Sequence, residues 1–245
     1  MQDVKGVCKR MKSLGIMQAY FMPYIGYFQL LNAVDEFVIY DNIQYTKKGW
    51  INRNRILQGD GDKYITLPLK KDSDFLNIDE RFLADSFNPQ KLMQQIETAY
   101  HKAPYYQEVL SLLDNIIRFE EKNLFQYILH SVREVCKYLD ITTPIIISSE
   151  MKYDSSLKGE DKVIAICKER KCDRYINAIG GMDLYHAEAF ADEGMELKFI
   201  KTVFQEYPQF KNAFVPALSI IDVLMFNSQS QIKQMLSSYQ LIENE

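Results

Sequence analysis

Apolar and polar residues near the start of the chain follow one another in the order of a β-loop-α-β unit. Leu14 to Met17 form a short apolar run that predicts a buried strand. An aromatic loop with one proline and one glycine comes next. Tyr27 to Ala33 have the pattern of a helix, and Phe37 to Tyr40 predict a second strand. The segment that follows, Asp41 to Arg55, is polar, basic and aromatic, so it is expected outside the hydrophobic core.

Turn residues then predict a β-hairpin. Asp60-Gly61 is a typical two-residue hairpin turn, and it separates residues 55–57 from residues 64–69, which are rich in strand-forming side chains. We therefore expect two antiparallel strands here. The pattern over Ile78 to Leu83 indicates one more short strand.

Helical spacing dominates the middle of the chain. Asn88 followed by Pro89 is typical of a helix start, because an Asn side chain caps free amides and Pro fits the first turn. Apolar residues recur at helical spacing after this start, and two further amphipathic helices are predicted over residues 105–118 and 123–139. Residues of about 88–140 are therefore expected to form a helical insertion.

Strands and helices alternate in the last part of the chain. Two β/α crossovers in succession favour a parallel sheet with right-handed connections. Asp183 is predicted as the N-cap of one of these helices and Gly194 as its C-terminal cap. The predicted strands cover residues 144–148, 173–178 and 195–200, and the predicted helices cover residues 159–171, 183–193 and 218–226. The expected fold class is α/β, with a mostly parallel, Rossmann-like (nucleotidyltransferase-like) sheet, flanking helices and a helical insertion.

Length allows one large domain or two small ones, and composition indicates a folded protein. The 245 residues suffice for a sizeable core, and 47% apolar with 25% charged residues is ordinary for a soluble globular protein. Residues 1–12 are charged and aperiodic. We interpret them as a dispensable N-terminal tail and residues 13–245 as one α/β domain.

Charge and cysteine content exclude several functional classes. A net charge of -4 provides no basic surplus for a long nucleic acid, so only a tRNA or a small nucleotide held by a local patch stays open. The four cysteines lack a paired spacing, which fits a reduced compartment, and the three separated histidines do not favour a metal site. No apolar run reaches the roughly 20 residues of a membrane span, so we expect a cytoplasmic protein.

Polar and glycine-rich loops follow three of the predicted strands. The carboxyl ends of neighbouring parallel strands lie at one edge of a sheet, which is where open α/β proteins bind ligands. We therefore expect these loops to converge on one cleft. Its predicted lining residues are Gln18, Tyr20, Tyr24, Asp41, Gln44, Asn177, Gly180 and Gly181.

The loop before the first helix offers an anion site. Gly26 lies at the start of that helix, where free N–H groups and the helix dipole attract a phosphate. The order strand, Pro-x-x-Gly-x, helix resembles a degenerate form of the His-x-Gly-His loop of nucleotidyltransferases and of ATP-dependent pantoate–amine ligases. Tyr24 and Tyr27 stand where those families carry histidines, and tyrosine is not a cation at neutral pH. The loop therefore either binds nucleotide without activating it, or is packed by its own aromatic side chains.

A short basic and aromatic run follows the second strand. Arginine pairs bidentately with phosphate or carboxylate, and the single tryptophan of the chain can stack on a base or a sugar. A solvated hairpin is the alternative interpretation. The predicted binding residues of this run are Lys47, Lys48, Trp50, Arg53, Asn54 and Arg55.

Two aspartates at the expected sheet edge have competing interpretations. Asp41 is a candidate general base or magnesium ligand, or it caps the following turn. Asp183 is a candidate substrate ligand beside Gly180-Gly181, or only the cap of its helix. The glycine pair permits close approach of the backbone to a ligand.

Four separated stretches together resemble the WbqC-like protein family over essentially Leu14 to Asn227. These stretches are GIMQAYFMPYIGYFQLLNAVDEFVIYDNIQYTKKGWINRNRI, the Ser pair after PIII, RYINAIGGMDLYHAEAF and FVPALSIIDVLMFN. The likeness departs at Ala19, where such proteins usually have Pro after the Gln, and in the tail before Met11. Members are commonly encoded among genes for O-antigen and other surface polysaccharides, and the resemblance supplies no agreed catalytic residues.

The resemblance implies a cytoplasmic step on a nucleotide-linked sugar or its amino acid donor. The leading hypothesis is an amide-forming acyl or aminoacyl (glycyl) transferase, with Asp41 or Tyr24 assisting proton movement. The alternative is a non-catalytic nucleotide-sugar binding or assembly protein with a degenerate nucleotidyltransferase-like site. The sequence leaves open the cofactor, with ATP or an already activated donor as alternatives, and also the oligomeric state.

Overall fold

A six-stranded sheet forms the centre of the computed structural model, which describes residues 10–211 and 213–243. Its order is β5-β2-β1-β6-β7-β8, and a separate two-stranded sheet is formed by β3 and β4. All neighbours in the central sheet are parallel except β7 and β8. The described strands are β1 (Ser13–Gln18), β2 (Glu36–Tyr40), β3 (Arg53–Gln58), β4 (Gly61–Thr66), β5 (Ile145–Ile147), β6 (Arg174–Ala178), β7 (Glu196–Thr202) and β8 (Tyr239–Ile242).

The chain starts at the middle of this sheet and builds it outward in both directions. Strands β2 and β5 are added on one side of β1, and β6 and β7 on the other. The direction of growth therefore reverses between β1 and β6. In open α/β sheets, ligands bind outside the carboxyl ends of the strands at such a reversal. The mostly parallel α/β sheet predicted from the sequence is confirmed.

Helices cover both faces of the central sheet. Successive side chains of β1 point to opposite faces and so belong to two separate cores. Leu14 and Ile16 pack with helices α5 (Gly159–Glu169) and α6 (Ala187–Ala191) in a smaller core. The opposite face meets the larger core, which includes side chains of the remaining helices and of the hairpin. The described helices are α1 (Ile25–Ala33), α2 (Pro89–Tyr100), α3 (Tyr106–Ile117), α4 (Leu124–Tyr138), α5 (Gly159–Glu169), α6 (Ala187–Ala191), α7 (Ile220–Phe226) and α8 (Gln229–Met235).

Helix α2 begins as its sequence predicts. The Asn88 side chain accepts a hydrogen bond from the Lys91 amide, and Pro89 occupies the first helical position. Asn123 caps α4 in the same way by accepting from the Gln126 amide. These caps satisfy amides that have no partner inside the helix.

The predicted hairpin is present, but its turn lies one residue earlier than expected. Gln58 pairs with Gly61, so Gly59 and Asp60 form the turn. Gly59 has a φ of 57°, a left-handed conformation that glycine adopts without steric cost. The sequence Gly59-Asp60-Gly61 is compatible with a turn at residues 59–60 or at residues 60–61. In the structure Gly59 has the left-handed conformation, so the turn is at residues 59–60.

Two predicted elements are wrong. Residues predicted as a strand over Ile78 to Leu83 begin instead with a 3-10 turn, because Asn77 and Glu80 form a reciprocal capping box. The helix predicted over residues 183–193 is replaced by a 3-10 helix, Ile179–Leu184, followed by the short α6. Asp183 therefore lies inside the 3-10 helix and does not cap α6, whose N-cap position is His186.

The ends of the chain contain features that the sequence analysis did not predict. Helix α8 starts with a capping box between Ser228 and Gln231, and β8 pairs antiparallel with β7. Near the N-terminus, the Lys12 amide donates to the Asp173 carboxylate (2.8 Å), so the last residue of the predicted tail is tied to the domain. Residues 1–9 of that tail lie outside the described residues.

Candidate functional site

A pocket of about 160 Å³ opens between the loop that follows β1 and the β3–β4 hairpin. Its wall carries three aromatic rings, one guanidinium and one amide. Five of the residues that form it belong to the set predicted from the sequence, and the other two come from the loops before α1 and α7. The lining residues are Tyr20, Pro23, Tyr24, Trp50, Asn54, Arg55 and Ala217.

Hydrogen bonds from two other segments fix the loop after β1. The buried Asn54 Nδ2 donates to the carbonyl oxygens of Phe21 (3.2 Å) and Met22 (2.9 Å). Ser219 Oγ donates to the same Met22 carbonyl at 2.7 Å. Met22 has a φ of 43°, which non-glycine residues rarely adopt and which costs of order 1–3 kcal/mol. The pocket wall is therefore a strained loop that its neighbours hold in place.

Arg55 brings a cation to the pocket. Its Nη1 lies 3.4 Å from Asp62 Oδ1, and its Nη2 donates to the Ala217 carbonyl at 3.3 Å. The guanidinium carbon lies 5.8 Å from the centre of the Trp50 ring. The Nε atom is buried and makes no hydrogen bond. The guanidinium lines the pocket, so an anionic group bound there would pair with its charge.

The ring of Tyr24 covers the start of α1. Its hydroxyl forms a hydrogen bond with the Thr202 side chain at the end of β7. An ideal Cβ on Gly26 would lie 2.3 Å from a carbon of the Tyr24 ring and 2.5 Å from Thr202 Oγ1. Close packing of Tyr24 therefore requires a glycine at position 26. The ring also lies across the approach that the sequence analysis assigned to a phosphate, which favours the interpretation of a loop packed by its own aromatic residues.

The two tyrosines of the pocket are hydrogen-bond donors at neutral pH. Burial raises the pKa of Tyr20, and the neighbouring Tyr24 raises it further. Burial also raises the pKa of Tyr24, against the opposing effect of the Thr202 hydrogen bond. Both phenols therefore hold their protons at pH 7. They can donate a hydrogen bond or a proton to a ligand oxygen, but they are poor bases.

Tyr27 and Gln18, which were predicted to bind a ligand, instead make contacts within the protein. Tyr27 is almost fully buried and packs against the rings of Tyr20, Phe28 and Phe37. Its hydroxyl donates to the main-chain carbonyl of Gln18 at 3.1 Å. This bond ties the end of β1 to α1. Neither Tyr27 nor the Gln18 side chain lines the pocket.

Cations and aromatic rings alternate on the outer face of the hairpin. The guanidinium of Arg53 lies 4.8 Å from the centre of the Tyr64 ring, and that ring stacks on Trp50 with centres 6.2 Å apart and planes 27° apart. Arg55, opposite Tyr64 in the strand ladder, lies beside Trp50. We call Arg53, Tyr64, Trp50 and Arg55 the hairpin stack. Tyr64 was not predicted, because strand alternation alone does not show which ring it meets.

The other polar residues of the basic run contact the neighbouring loop instead of the pocket. Lys47 forms an ion pair of 2.8 Å with Asp74, and Gln44 Nε2 donates to the Asp74 carbonyl at 2.9 Å. The carbonyl of Lys48 accepts from Arg53 Nη2 at 2.6 Å, so the arginine closes the loop between them. The Lys48 side chain is exposed. These residues border the hairpin stack.

Asp41 joins the ends of β2 and β5. Its buried carboxylate accepts hydrogen bonds from Ser148 Oγ (2.8 Å), the Ser149 amide (3.0 Å), the Asn42 amide (2.9 Å) and the Ser149 hydroxyl. We call this set the Asp41 latch. Asp41 does not line the pocket. The two serines already donate to a carboxylate, so a phosphate at this position would face a negative charge.

A buried lysine lies beside the Asp41 latch and was missed by the sequence analysis. Lys162 of α5 approaches the carbonyl and side-chain oxygens of Asn42, each at 3.4 Å, and lies 5.1 and 5.6 Å from the ring centres of Tyr40 and Tyr153. Tyr153 in turn accepts from Asn42 Nδ2 at 3.1 Å. The position of Lys162 on helix α5 did not indicate burial. Its long side chain extends from the helix to Asn42 at the end of β2, and this reach is not visible in the sequence.

The end of β6 reaches the expected edge of the sheet without lining the pocket. Asn177 is buried and accepts from the Ala178 amide at 2.8 Å. An ideal Cβ on Gly181 would lie 2.2 Å from Asn177 Nδ2, so this glycine is required by a contact within the protein. Gly180 and Asp183 are exposed. The wall that faces the strained loop across the pocket is formed by the hairpin and Ala217.

A buried carboxylate network holds the segment that carries Ala217. Asp222 is fully buried and accepts from Tyr100 (2.9 Å), Tyr207 (2.7 Å) and Gln209 (2.6 Å). Gln209 also bonds both backbone groups of Val215. Burial raises the pKa of Asp222, and the three hydrogen bonds oppose that rise. The sequence carried no signal for this network, since its members are up to 122 residues apart.

No group of three or more His, Cys, Asp or Glu side chains is arranged to hold a metal ion within residues 10–211 and 213–243. Three cysteines in these ranges, Cys136, Cys167 and Cys172, are buried free thiols. Among the described helices, none is both long and apolar enough to cross a membrane.

Comparisons with known proteins identify a matching protein family and a relative of similar sequence. A model of the WbqC-like protein family matches residues 18–234. The chain is similar to the uncharacterized protein Rv1507c of Mycobacterium tuberculosis, with 29% identity over 220 residues that cover 89% of this chain and 94% of the relative. No solved structure matches the chain.

Proposed function

Because the chain belongs to the WbqC-like protein family, we propose that it is a cytoplasmic amide-forming acyl transferase of surface polysaccharide (O-antigen) biosynthesis. The proposed acceptor is a nucleotide-linked amino sugar, and the proposed acyl group is an aminoacyl unit such as glycyl. The resemblance supplies this substrate class. The pocket between the strained loop and the hairpin is the proposed binding site.

The guanidinium of Arg55 in the pocket lining is the observation that supports ligand binding most directly. It is a cation in a pocket that three aromatic side chains, Tyr20, Tyr24 and Trp50, also line. No carboxylate lines the pocket, and the ion pair of Arg55 with Asp62 is long, at 3.4 Å. A ligand with one anionic group and an apolar or ring-shaped body matches this wall.

The sheet order agrees with a Rossmann-like classification, which we also propose. Counted in chain order, the five parallel strands stand in the order 3-2-1-4-5, as in dinucleotide-binding folds. The hairpin and helices α2 to α4 lie between β2 and β5, and in this classification they form an insertion into the sheet connections. The pocket then lies next to the end of β1, beside the reversal of strand order.

Amide formation needs two proton movements, one of which this chain can assist. The acceptor amine attacks the acyl carbon, a C–N bond forms, and the bond from that carbon to the leaving oxygen breaks. The amine loses a proton, and the leaving oxygen gains one. In this proposal Tyr24, which is protonated at neutral pH, donates a hydrogen bond to the leaving oxygen. Asp41, the candidate base from the sequence, lies outside the pocket and accepts four hydrogen bonds, so the proton of the amine passes to solvent. Whether ATP activates the acyl group stays open.

Mass spectrometry tests the activity. The purified protein is incubated with a nucleotide-linked 4-amino sugar and either glycine with ATP or a charged glycyl donor. We expect the sugar nucleotide to gain one glycyl unit under one of these conditions. Arg55→Gln should lower kcat/KM by roughly tenfold or more, since a charge-assisted hydrogen bond is lost. The matched control is Arg118→Gln, which removes an exposed arginine at the end of α3 that contacts Asp114 and Gln90 and does not line the pocket. No glycyl product under either condition would reject the proposal.

The second candidate is a nucleotide-sugar binding or assembly protein without catalysis. The observation that favours it is the absence of histidines from the loop where Tyr24 and Tyr27 stand. Calorimetry separates the two candidates. Nucleotide-sugar binding that is weakened by Arg55→Gln, together with no product from any donor, would favour the binding protein.

A further inference from the structure

The pocket is too small for a whole nucleotide-linked sugar. Its volume is about 160 Å³, whereas pockets that enclose drug-sized ligands measure roughly 300–1,000 Å³. A sugar ring or an aminoacyl group fits, but the nucleotide must then extend beyond the rim. Trp50 and Arg55 belong both to the pocket lining and to the hairpin stack, so the outer face of the hairpin continues directly from the pocket.

The hairpin stack leaves aromatic surface open to a ligand. The side chains of Trp50 and Tyr64 are 41% and 51% exposed, which is high for large aromatic residues of a packed domain. Each ring has a guanidinium beside it. Arg53 is held in place by hydrogen bonds from Nε to the Gly49 carbonyl (3.1 Å) and from Nη2 to the Lys48 carbonyl (2.6 Å). The rings and cations are thus arranged before a ligand arrives.

We infer that the hairpin stack is a nucleobase platform, on which the base of a nucleoside diphosphate lies against the stacked pair of Trp50 and Tyr64 while its phosphates face the arginines. This inference rests on the proposed function, because it assigns the part of the substrate that the pocket does not hold. Stacking tolerates any base, since every base has a π-face. Lys48, exposed at the same loop, adds positive charge for the phosphates.

Intrinsic fluorescence tests this inference because the chain has a single tryptophan and it lies in the platform. Titration with UDP and with ADP should quench Trp50 fluorescence saturably. Ribose 5-phosphate, which has a phosphate and no base, should not quench it. Equal quenching at equal concentrations by ribose 5-phosphate would overturn the platform.

Variants of Tyr64 give a second measurement. Tyr64→Leu should weaken UDP binding by roughly 5- to 100-fold, the effect of one lost stacking partner, and Tyr64→Phe should retain it. Phe119→Leu, at an exposed aromatic residue that stacks on His130, is the matched control and should leave UDP binding unchanged. Unchanged UDP affinity in Tyr64→Leu overturns the inference, as does tighter binding of a single-stranded oligouridylate than of UDP.

Failure of the platform and failure of the proposed function give different results. Platform-dependent UDP binding without any glycyl transfer rejects the transferase and leaves the platform standing. Glycyl transfer with an unchanged KM for the sugar nucleotide in Tyr64→Leu rejects the platform and leaves the transferase standing.

Discussion

The ring of Tyr24 lies so close above Gly26 that a methyl group on the glycine would come within 2.3 Å of a ring carbon. Gly26→Ala should therefore displace the ring into the pocket and weaken ligand binding. Because the ring is the end of a mobile side chain, we expect a loss of unfolding free energy of only about 1–2 kcal/mol. Urea denaturation and UDP titration measure the two effects.

The control for Gly26→Ala is Gly180→Ala, where a Cβ would meet nothing within 4 Å. In a Tyr24→Ala background the part of the cost that comes from the ring should disappear and the part from the Thr202 hydroxyl should stay, so an undiminished cost would contradict this account.

Asn54 should be more important for the shape of the pocket than for contact with a ligand. Its amide holds the carbonyls of Phe21 and Met22, so Asn54→Ala removes both bonds at a strained turn. We expect a loss of about 1–3 kcal/mol in unfolding free energy, and more for Asn54→Asp, whose carboxylate would face two carbonyl oxygens. Chemical denaturation measures this loss. Asn115→Ala, at an exposed amide that bonds Glu134, serves as the control. Equal stability of Asn54→Ala and the unmodified protein would show that the loop needs no such anchor.

The hydrogen bonds of the Asp41 latch should couple the end of β2 energetically to the end of β5. Asp41→Asn keeps an acceptor at Oδ1 and should cost about 1–2 kcal/mol, while Asp41→Ala should cost about 3 kcal/mol or more. Ser149→Ala removes a donor to the same carboxylate. In a double-mutant cycle the costs of Asp41→Ala and Ser149→Ala should fall short of additivity by about 1 kcal/mol. Additive costs would mean that the two residues stabilise the fold independently.

Asp222 should give the protein a specific pH dependence of stability. Its folded pKa is raised, so above the ordinary Asp value of about 3.9 the folded state holds a proton that the unfolded state has lost. The folded state then binds more protons, and unfolding free energy falls as pH rises through this window until the folded pKa is passed. Asp222→Asn should abolish that fall. Urea denaturation of both proteins from pH 4 to 8 measures the difference, in which the other titrating groups largely cancel. Parallel curves would contradict the prediction.

Local signals predicted the central sheet and most of the helices correctly. The strands β1 and β2 are short apolar runs, and the caps of α2 and α4 are asparagines, so neighbouring residues alone determine them. The errors occur where two local signals compete. Residues 78–80 have a strand-like pattern, but the capping box between Asn77 and Glu80 stabilises a 3-10 turn.

The candidate site was predictable in its residue types and less so in its arrangement. Five of the predicted residues meet in the pocket, because a loop and a hairpin close in sequence fold against each other. Ala217 and Tyr64 were missed, since the first comes from a distant segment and the second shares its face with Arg55 only through strand pairing. Asp222 gave no signal, because its partners Tyr100 and Tyr207 meet it only after the helices pack.

Strand β8 shortens the exposed edge of the central sheet. It pairs with β7 from Phe199 to Thr202, so the edge strand on that side has four residues instead of the seven of β7. Without it, β7 would present a row of unpaired N–H and C=O groups, which is a template for pairing with another chain. A chain shortened after Leu236 should therefore form oligomers or aggregates, detectable by size-exclusion chromatography with light scattering. A truncated chain with the same mass distribution as the full chain would contradict this expectation.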